Sequence, residues 1–415
     1  MRQSDLLEKA NALVPDFLPF RGTRYRGSPD LSALTAPPYD VIDEEERAAL
    51  EEAHPHNAVR LILPRETGRH DAYAAAASTF EAWREKGVLA VDPTARYYGY
   101  RMRYTDGGVA RHTVGVIGAL GLGDAEHGVL PHERTMHKAR SDRLALLEAT
   151  RANFDPIWGL SLAGSLSRLI PDEPVVATAM DVAGTRHELI PIDEPGAIAA
   201  ITDAVRSAPV VLADGHHRYE TARAYREQHS RAPGVDAIMA LVVELTDDEL
   251  CVHPIHRVLT GVRAGSLHEQ LGHAFDVVDA GPNALEGLDQ LVRRMHDEAA
   301  LGIVERDRFA LATPREDALD AIVRDLPAPL RDLDATRFDA GILPALGEVD
   351  VAYRDDAATV ATLVGKGAAD AAVLLRPVTV PQIRAAAFAG VRMPQKTTFF
   401  YPKPRTGIVF RSLDD

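Results

Sequence analysis

A mixed α/β fold with antiparallel hairpins is predicted by three features of the chain. Apolar runs of strand length alternate with amphipathic helical stretches along most of its 415 residues. Two of the strand runs fold back on themselves about turn-forming residues. A continuous apolar run, "DAIMALVVEL", has the texture of a strand buried on both faces.

Taken in order, "DEEERAALEEA" from Asp43 reads as a helix, with Asp43 and Glu46 spaced as a capping box. "AVRLILP" (residues 58–64) reads as a strand, and "DAYAAAASTFEAWREKG" (residues 71–87) as a helix closed by glycine. "RYYGYRMRYTDGGVARHTVGVIGAL" is a hairpin about Asp106-Gly107, and "PVVATAMDVAGTRHELIPI" a second one. A helix around "GAIAAITDAV" precedes a strand over residues 210–213. A chain of this length divides into two or three domains. The change of texture past residue 260 sets the expected boundary at 262, giving a core over 1–262 and a C-terminal α/β domain over 263–415. The segment 392–410 is expected to return to the site.

Composition narrows the function classes. The formal net charge of -15 opposes a large nucleic-acid footprint, which needs clustered Lys and Arg. The single cysteine, Cys251, excludes an internal disulfide framework and a Cys-based zinc or iron–sulfur site. The start has no apolar leader region, and no run reaches bilayer length, so a cytoplasmic protein without a membrane partner is expected.

The densest chemistry lies in "VVLADGHHRYETARAYRE". A strand that passes through a glycine turn into a helix aims main-chain N–H groups and a positive dipole end at one spot. Asp214, Gly215, His216, His217 and Arg218 occupy that turn. An arginine and two imidazoles at a positive helix end repel one another unless an anion or a neighbouring carboxylate offsets them. Phosphate is the natural anion, since arginine grips it bidentately. On the structural alternative, Asp214 only caps the helix and the histidines are surface residues.

Three further clusters stand out. His132, Glu133, Lys138, Arg140 and Arg143 concentrate basic groups around a carboxylate that can act as a base. His132 and His137 lie roughly 140° apart on a helix of 3.6 residues per turn, so a metalloprotease pair is rejected. In "TAPPYDVI" two prolines stiffen a loop ending at Tyr39-Asp40, one way to hold a catalytic or metal-binding carboxylate. In "RMPQKTTFFYPKPR", Lys396 carries the functional prospect, while the aromatic trio reads as core. The glycines of "GALGLG" and "VGKGAAD" fit no nucleotide fingerprint, and His253 and His256 lack a third ligand.

The succession "APPYDVI", "HERT", "ANFDPIW", "ADGHHRYETA", "HPIHRVL" and "MPQKTTFFYPK" is identified as that of the bacterial and archaeal family known as domain of unknown function 1015. Its Asp-Gly-His-His-Arg turn resembles the phosphate-binding turn of the ParB/sulfiredoxin-like superfamily, and Pro38-Tyr39-Asp40 resembles the loop that opens that core. The resemblance implies a ParB/sulfiredoxin-like core that binds or hydrolyses nucleotides, as chromosome-partition CTPases, sulfiredoxin and free serine kinases do. Sulfiredoxin's cysteine has no counterpart, because His216 stands where Gly-Cys-His is needed. The acidic chain and the lack of a helix-turn-helix oppose a DNA-binding role.

What the resemblance then implies is phosphoryl transfer from ATP or ADP, with CTP a third candidate, to a small hydroxyl-bearing metabolite such as free serine. Asp214 to Arg218 would hold phosphates. Asp214 or Asp40 would hold Mg²⁺. Glu133, with His132 and Asp40, makes up the catalytic set, and Lys138, Arg143 and Lys396 would steady the transferred group. The rival is a nucleotide-binding regulator that turns over slowly or not at all; a scaffold without a ligand is the third reading. The oligomeric state is left open.

Overall fold

The computed structural model describes residues 15–66, 71–123, 128–131, 133, 140–262 and 267–415; of residues 140, 141, 268 and 269 the main chain alone is described. The chain forms two compact units. The first draws on Met1–Pro131, Thr135–Leu250 and Pro402–Asp415, the second on His132–Arg134 and Cys251–Tyr401. The division thus falls at 250/251 and not at 262, and the expected returning segment 392–410 is split at Tyr401 between the units.

The main sheet of the first unit is built from β1 (Phe17–Leu18), β2 (Tyr97–Asp106), β3 (Val109–Gly121), β4 (Val129–Pro131), β5 (Ile157–Ser161), β6 (Ala177–Met180), β7 (Arg186–Ile192), β8 (Val210–Asp214) and β9 (Ala237–Glu244). They make one nine-stranded mixed sheet in the order β4-β8-β5-β9-β3-β2-β7-β6, with β1 on β3. The β2–β3 hairpin pairs Asp106 with Val109, and Gly107 and Gly108 take φ of +55° and +79° in its two-residue turn. β6 and β7 form the second hairpin. β9 is buried from Ile238 to Glu244, which explains its unbroken apolar run.

The helices of this unit are α1 (Glu44–Ala53), α2 (Val59–Ile62), α3 (Ala72–Glu85), α4 (Arg140–Thr150), α5 (Pro195–Arg206) and α6 (His216–Gln228). Asp43 caps α1 through the Glu46 N–H, and Asp71 caps α3 through the Ala74 N–H. The stretch expected as a strand over 58–64 is instead the helical turn α2. Asn57 accepts the Val59 N–H at 2.9 Å, and Val59, Leu61 and Ile62 are buried. A run this short, with Arg60 half-buried among buried apolar residues, has no period to read. The core of the unit joins β3, β5, β8 and β9 to α5 and α6 through residues such as Val116, Ile157, Leu212, Val242, Ile201 and Tyr219.

In the second unit β10 (Cys251–His253) and β17 (Phe399–Tyr401) pair with each other. The main sheet is built from β11 (His256–Thr260), β12 (Phe275–Pro282), β13 (Leu301–Val304), β14 (Arg308–Pro314), β15 (Asp350–Arg354) and β16 (Ala371–Leu374). These run in the order β12-β14-β13-β16-β11-β15, with antiparallel pairing throughout. Alternate residues of the strands enter two separate clusters, Leu259, Ile303 and Val373 in one and Val258, Val304 and Leu374 in the other. That period of two covers both faces of the sheet with helices such as α7 (Leu285–Asp297), α8 (Glu316–Val323) and α9 (Ala357–Gly365).

Candidate functional site

β8 carries four buried apolar residues and ends on Asp214. Gly215 then takes φ +84° and is the N-cap of α6. A Cβ at this position would lie 2.7 Å from the Ile157 Cγ2 and 3.0 Å from the Arg218 Nη2, so only glycine fits both the backbone and the space. No side chain caps the helix, and its first turn holds no acid. The first helical hydrogen bond runs from the Tyr219 N–H to the Gly215 carbonyl at 2.9 Å. The positive end of α6 therefore opens on the turn with His216, His217 and Arg218 as its first residues.

Arg218 faces inward from this turn. Its Nη1 donates to the Asp155 carboxylate and, at 2.8 Å, to the Pro156 carbonyl, while its Nη2 lies 3.9 Å from an Asp214 oxygen. The side chain is 11% exposed and that of Asp155 12%. Asp214 is held from its other side by Lys403, whose Nζ is 3.1 Å away. Burial alone would raise the Asp214 carboxyl, but Lys403 and Arg218 outweigh it and keep it well below the usual carboxylate range. Asp155 goes the other way: burial lifts it against the pull of Arg218 and Arg143, and Asp40 and Asp214 add to the lift. The repulsion inherent in the motif is thus offset by a neighbouring carboxylate from 63 residues upstream.

The Tyr39-Asp40 loop belongs to the same assembly. Residues Tyr39–Val41 form a short 3-10 turn on which Asp40 is exposed, and its charge acts on both Arg218 and Asp155. The Arg143 guanidinium stacks over the Tyr39 ring at 4.3 Å. It also donates to the Ile62 carbonyl at 2.8 Å and to Asp142. The C-terminal segment braces the loop: Ala36 and Thr406 exchange main-chain hydrogen bonds, Arg405 donates to the Thr35 carbonyl at 2.8 Å, and the Gly407 N–H reaches the Phe154 carbonyl. Beside it lies a cavity of about 50 Å³, lined by Arg143, Asn153, Asp155, Arg218 and Thr221 along with apolar residues. Among the described residues the buried Thr221 hydroxyl has no hydrogen-bond partner.

Of the residues singled out in the sequence, Asp40, Arg143, Asp214, Gly215, His216, His217 and Arg218 lie in the first unit. Glu133 and Lys396 meet in the second. The Glu133 carboxylate accepts the N–H groups of Lys396, Thr397 and Thr398 at 3.1, 3.2 and 2.9 Å and the Thr398 hydroxyl at 2.8 Å. Lys396 sits at φ +55° in that turn, and Arg257 donates to its carbonyl at 2.9 Å. A carboxylate given over to four donors organises a turn; it is poorly placed to take a substrate proton, which corrects the expectation for Glu133. His132 and Lys138 lie outside the described residues.

The expected magnesium site does not fit either. Asp214 is already shared by two cations, which oppose a third. Among the described residues no trio of His, Cys, Asp or Glu that includes Asp40 or Asp214 brings its ligand atoms within 4.8 Å of one another. Two residues escaped the sequence reading. Asp155 stands in "ANFDPIW", where a lone acid after an aromatic carries no periodic signal. Lys403 lies seven residues beyond the lysine that was favoured in the same basic stretch.

No curated protein matches the sequence. Among solved structures, the chain is similar to a free serine kinase in complex with AMP, at 14% identity and a TM-score of 0.37, covering 69% of this chain and 86% of that one. It is similar to a conserved hypothetical protein from Pyrococcus furiosus, at 13% identity and a TM-score of 0.38, covering 72% and 96%. SbnI with a C-terminal truncation, from Staphylococcus aureus, aligns at 12% identity and a TM-score of 0.37 over 70% and 85%. At these scores the likenesses carry no functional argument. Among the described residues no helix is long and apolar enough to cross a membrane. The family described as "Protein of unknown function (DUF1015)" matches over residues 17–336, well over half of the chain, and the chain belongs to that family.

Proposed function

We propose that the turn from Asp214 to Arg218 binds the phosphates of a nucleotide, and that the protein passes a phosphoryl group from ATP or ADP to a small hydroxyl-bearing metabolite, with free serine the leading acceptor. The observation that carries this reading is the helix end behind Gly215. It has no side-chain cap, it follows a position only glycine can fill, and Lys403 stands beside it. Such an end supplies main-chain donors and positive potential without reorganisation when an anion arrives.

In this scheme the acceptor hydroxyl oxygen attacks the terminal phosphorus, the bond to the bridging oxygen breaks, and the nucleotide leaves one phosphate shorter. The hydroxyl proton passes to Asp40, the exposed carboxylate at the edge of the cluster. The N–H groups of α6 and the imidazoles of His216 and His217 hold phosphate oxygens. Lys403 offsets the migrating charge. Arg218 and Asp155 act one step back, fixing the turn's geometry.

The second reading, a nucleotide-binding regulator with slow or no turnover, draws support from the charge balance. Arg218 and Lys403 already have carboxylate partners, and Glu133 is engaged by main chain. Incubation with ATP, ADP or CTP and a pool of hydroxylated metabolites including serine, followed by phosphorus NMR, separates the two. A new phosphomonoester supports the transferase, and nucleotide binding without product supports the regulator. Absence of nucleotide binding refutes both.

A further inference from the structure

The first unit contains a second polar cavity, at the far end of the nine-stranded sheet from Asp214. In β5, Trp158 pairs with Asp214, whereas Ser161, at the other end of the strand, pairs with Glu244 of β9. At that other end Arg101 of β2 lies opposite Val114 of β3. The cavity there offers about 490 Å³, within the range of small-metabolite sites, and is lined by Arg101, Arg103, His112, Arg168, Asp172 and Glu249 beside Val114 and Ile170.

Some of these charges satisfy one another. Arg101, 6% exposed, donates to Asp172 at 2.7 Å and lies 3.4 Å from Glu188, which also takes Arg103 and Arg186. Two groups of opposite sign are left over. Glu249 is 7% exposed, and its recorded hydrogen bond is one N–H, from Val114 at 2.8 Å. Burial raises its carboxyl, against the pull of the Val114 N–H and then of His112. On the rim, Arg168 is exposed, and among the described residues no carboxylate is recorded within ion-pair distance of it. A buried carboxylate with a single donor is costly until a cation reaches it. An arginine on the same cavity calls for an anion.

We propose that this cavity is a binding site for a small zwitterion of the α-amino-acid type, its ammonium directed to Glu249 and its carboxylate to Arg168, with Arg103 alongside. Neither a simple anion nor a simple cation satisfies both walls. The site is separate from the Asp214 turn and stands whether or not that turn binds a nucleotide.

The test is calorimetric titration of the full-length protein with each free proteinogenic amino acid, with succinate and putrescine as probes of a single charge type. At least one amino acid is expected to bind, and to bind at least about tenfold more tightly than either probe, the size of one charge-assisted hydrogen bond. Arg168→Ala and Glu249→Gln are each expected to weaken that binding about tenfold or more, while Arg168→Ala leaves nucleotide affinity unchanged. An amino acid held at the Asp214 turn instead would lose affinity in Asp214→Asn and keep it in Arg168→Ala, and that pattern overturns the proposal. So does the absence of any amino-acid binding, or succinate binding as tightly as the best amino acid. Should Glu249→Gln not fold, the exposed Arg168 and the charge probes decide the matter.

Discussion

Replacing Arg218 by methionine tests whether the arginine of the Asp-Gly-His-His-Arg turn works inward or outward. In the wild-type chain its Nη1 is committed to Asp155 and the Pro156 carbonyl, with both side chains of the ion pair nearly sealed from water. Breaking a buried pair from one side strands the other charge, at a cost of about 3–5 kcal/mol. Asp155→Asn leaves Arg218 its carbonyl partner and the nearby Asp214, so about 1–3 kcal/mol is expected. The double variant should cost less than the sum by about 2 kcal/mol, because its second substitution removes the stranded charge. Trp83 and Trp158, both buried in the first unit, are the chain's two tryptophans, so their fluorescence in a urea titration follows that unit. If Arg218→Met unfolds at the wild-type urea concentration and loses only nucleotide binding, the guanidinium faces the ligand and the inward reading is refuted.

Three other outcomes follow from the geometry. Gly215→Ala forces an L-residue to φ +84° against Ile157; about 1–2 kcal/mol for the backbone and about 1–3 for crowding should appear in thermal unfolding, together with weaker nucleotide binding. Glu133→Gln should destabilise the second unit by about 1–2 kcal/mol with turnover preserved, whereas lost turnover at unchanged stability would restore Glu133 as the base. Burial and then Arg257 hold the His256 imidazole down to about 4, against 6.5 in the unfolded chain. Between those values only the unfolded chain takes up the proton, so stability falls by about 3 kcal/mol as the pH drops through this window, and His256→Gln should flatten the fall in pH-dependent urea midpoints.

Local features were legible in the sequence because local physics decides them. The Asp43 cap, the β2–β3 hairpin, whose turn falls on Gly107-Gly108 one residue past the expected Asp106-Gly107, and the glycine between β8 and α6 each need a residue type near a fixed offset. The helical turn α2 was not legible, since four residues, three of them buried and apolar, look the same in either state. Asp155 and Lys403 were missed for another reason. Each has an ion-pair partner far off in the sequence, 63 or 189 positions away. Glu133 misled because a carboxylate among basic residues suggests chemistry, whereas it accepts three main-chain N–H groups that leave no trace in composition.

That distribution of partners says what kind of site this is. The strand, the glycine and the helix end are set by one contiguous stretch, but the charges around them come from elsewhere: Asp155 enters from the loop before β5, and Lys403 from the C-terminal segment. The same C-terminal segment ties Arg405 to Thr35, 370 positions apart, and so fixes the loop that presents Asp40. A donor array at a helix end is worth most when it does not move as charge arrives. Here the turn is held by ion pairs and main-chain bonds that close long loops in the unit. Asp40 is the exception, an exposed carboxylate that sits on a braced loop and shares no hydrogen bond among the described residues. On the proposal that Asp40 takes the acceptor's proton, that group has to be left uncommitted, while the groups that only hold charge are tied down.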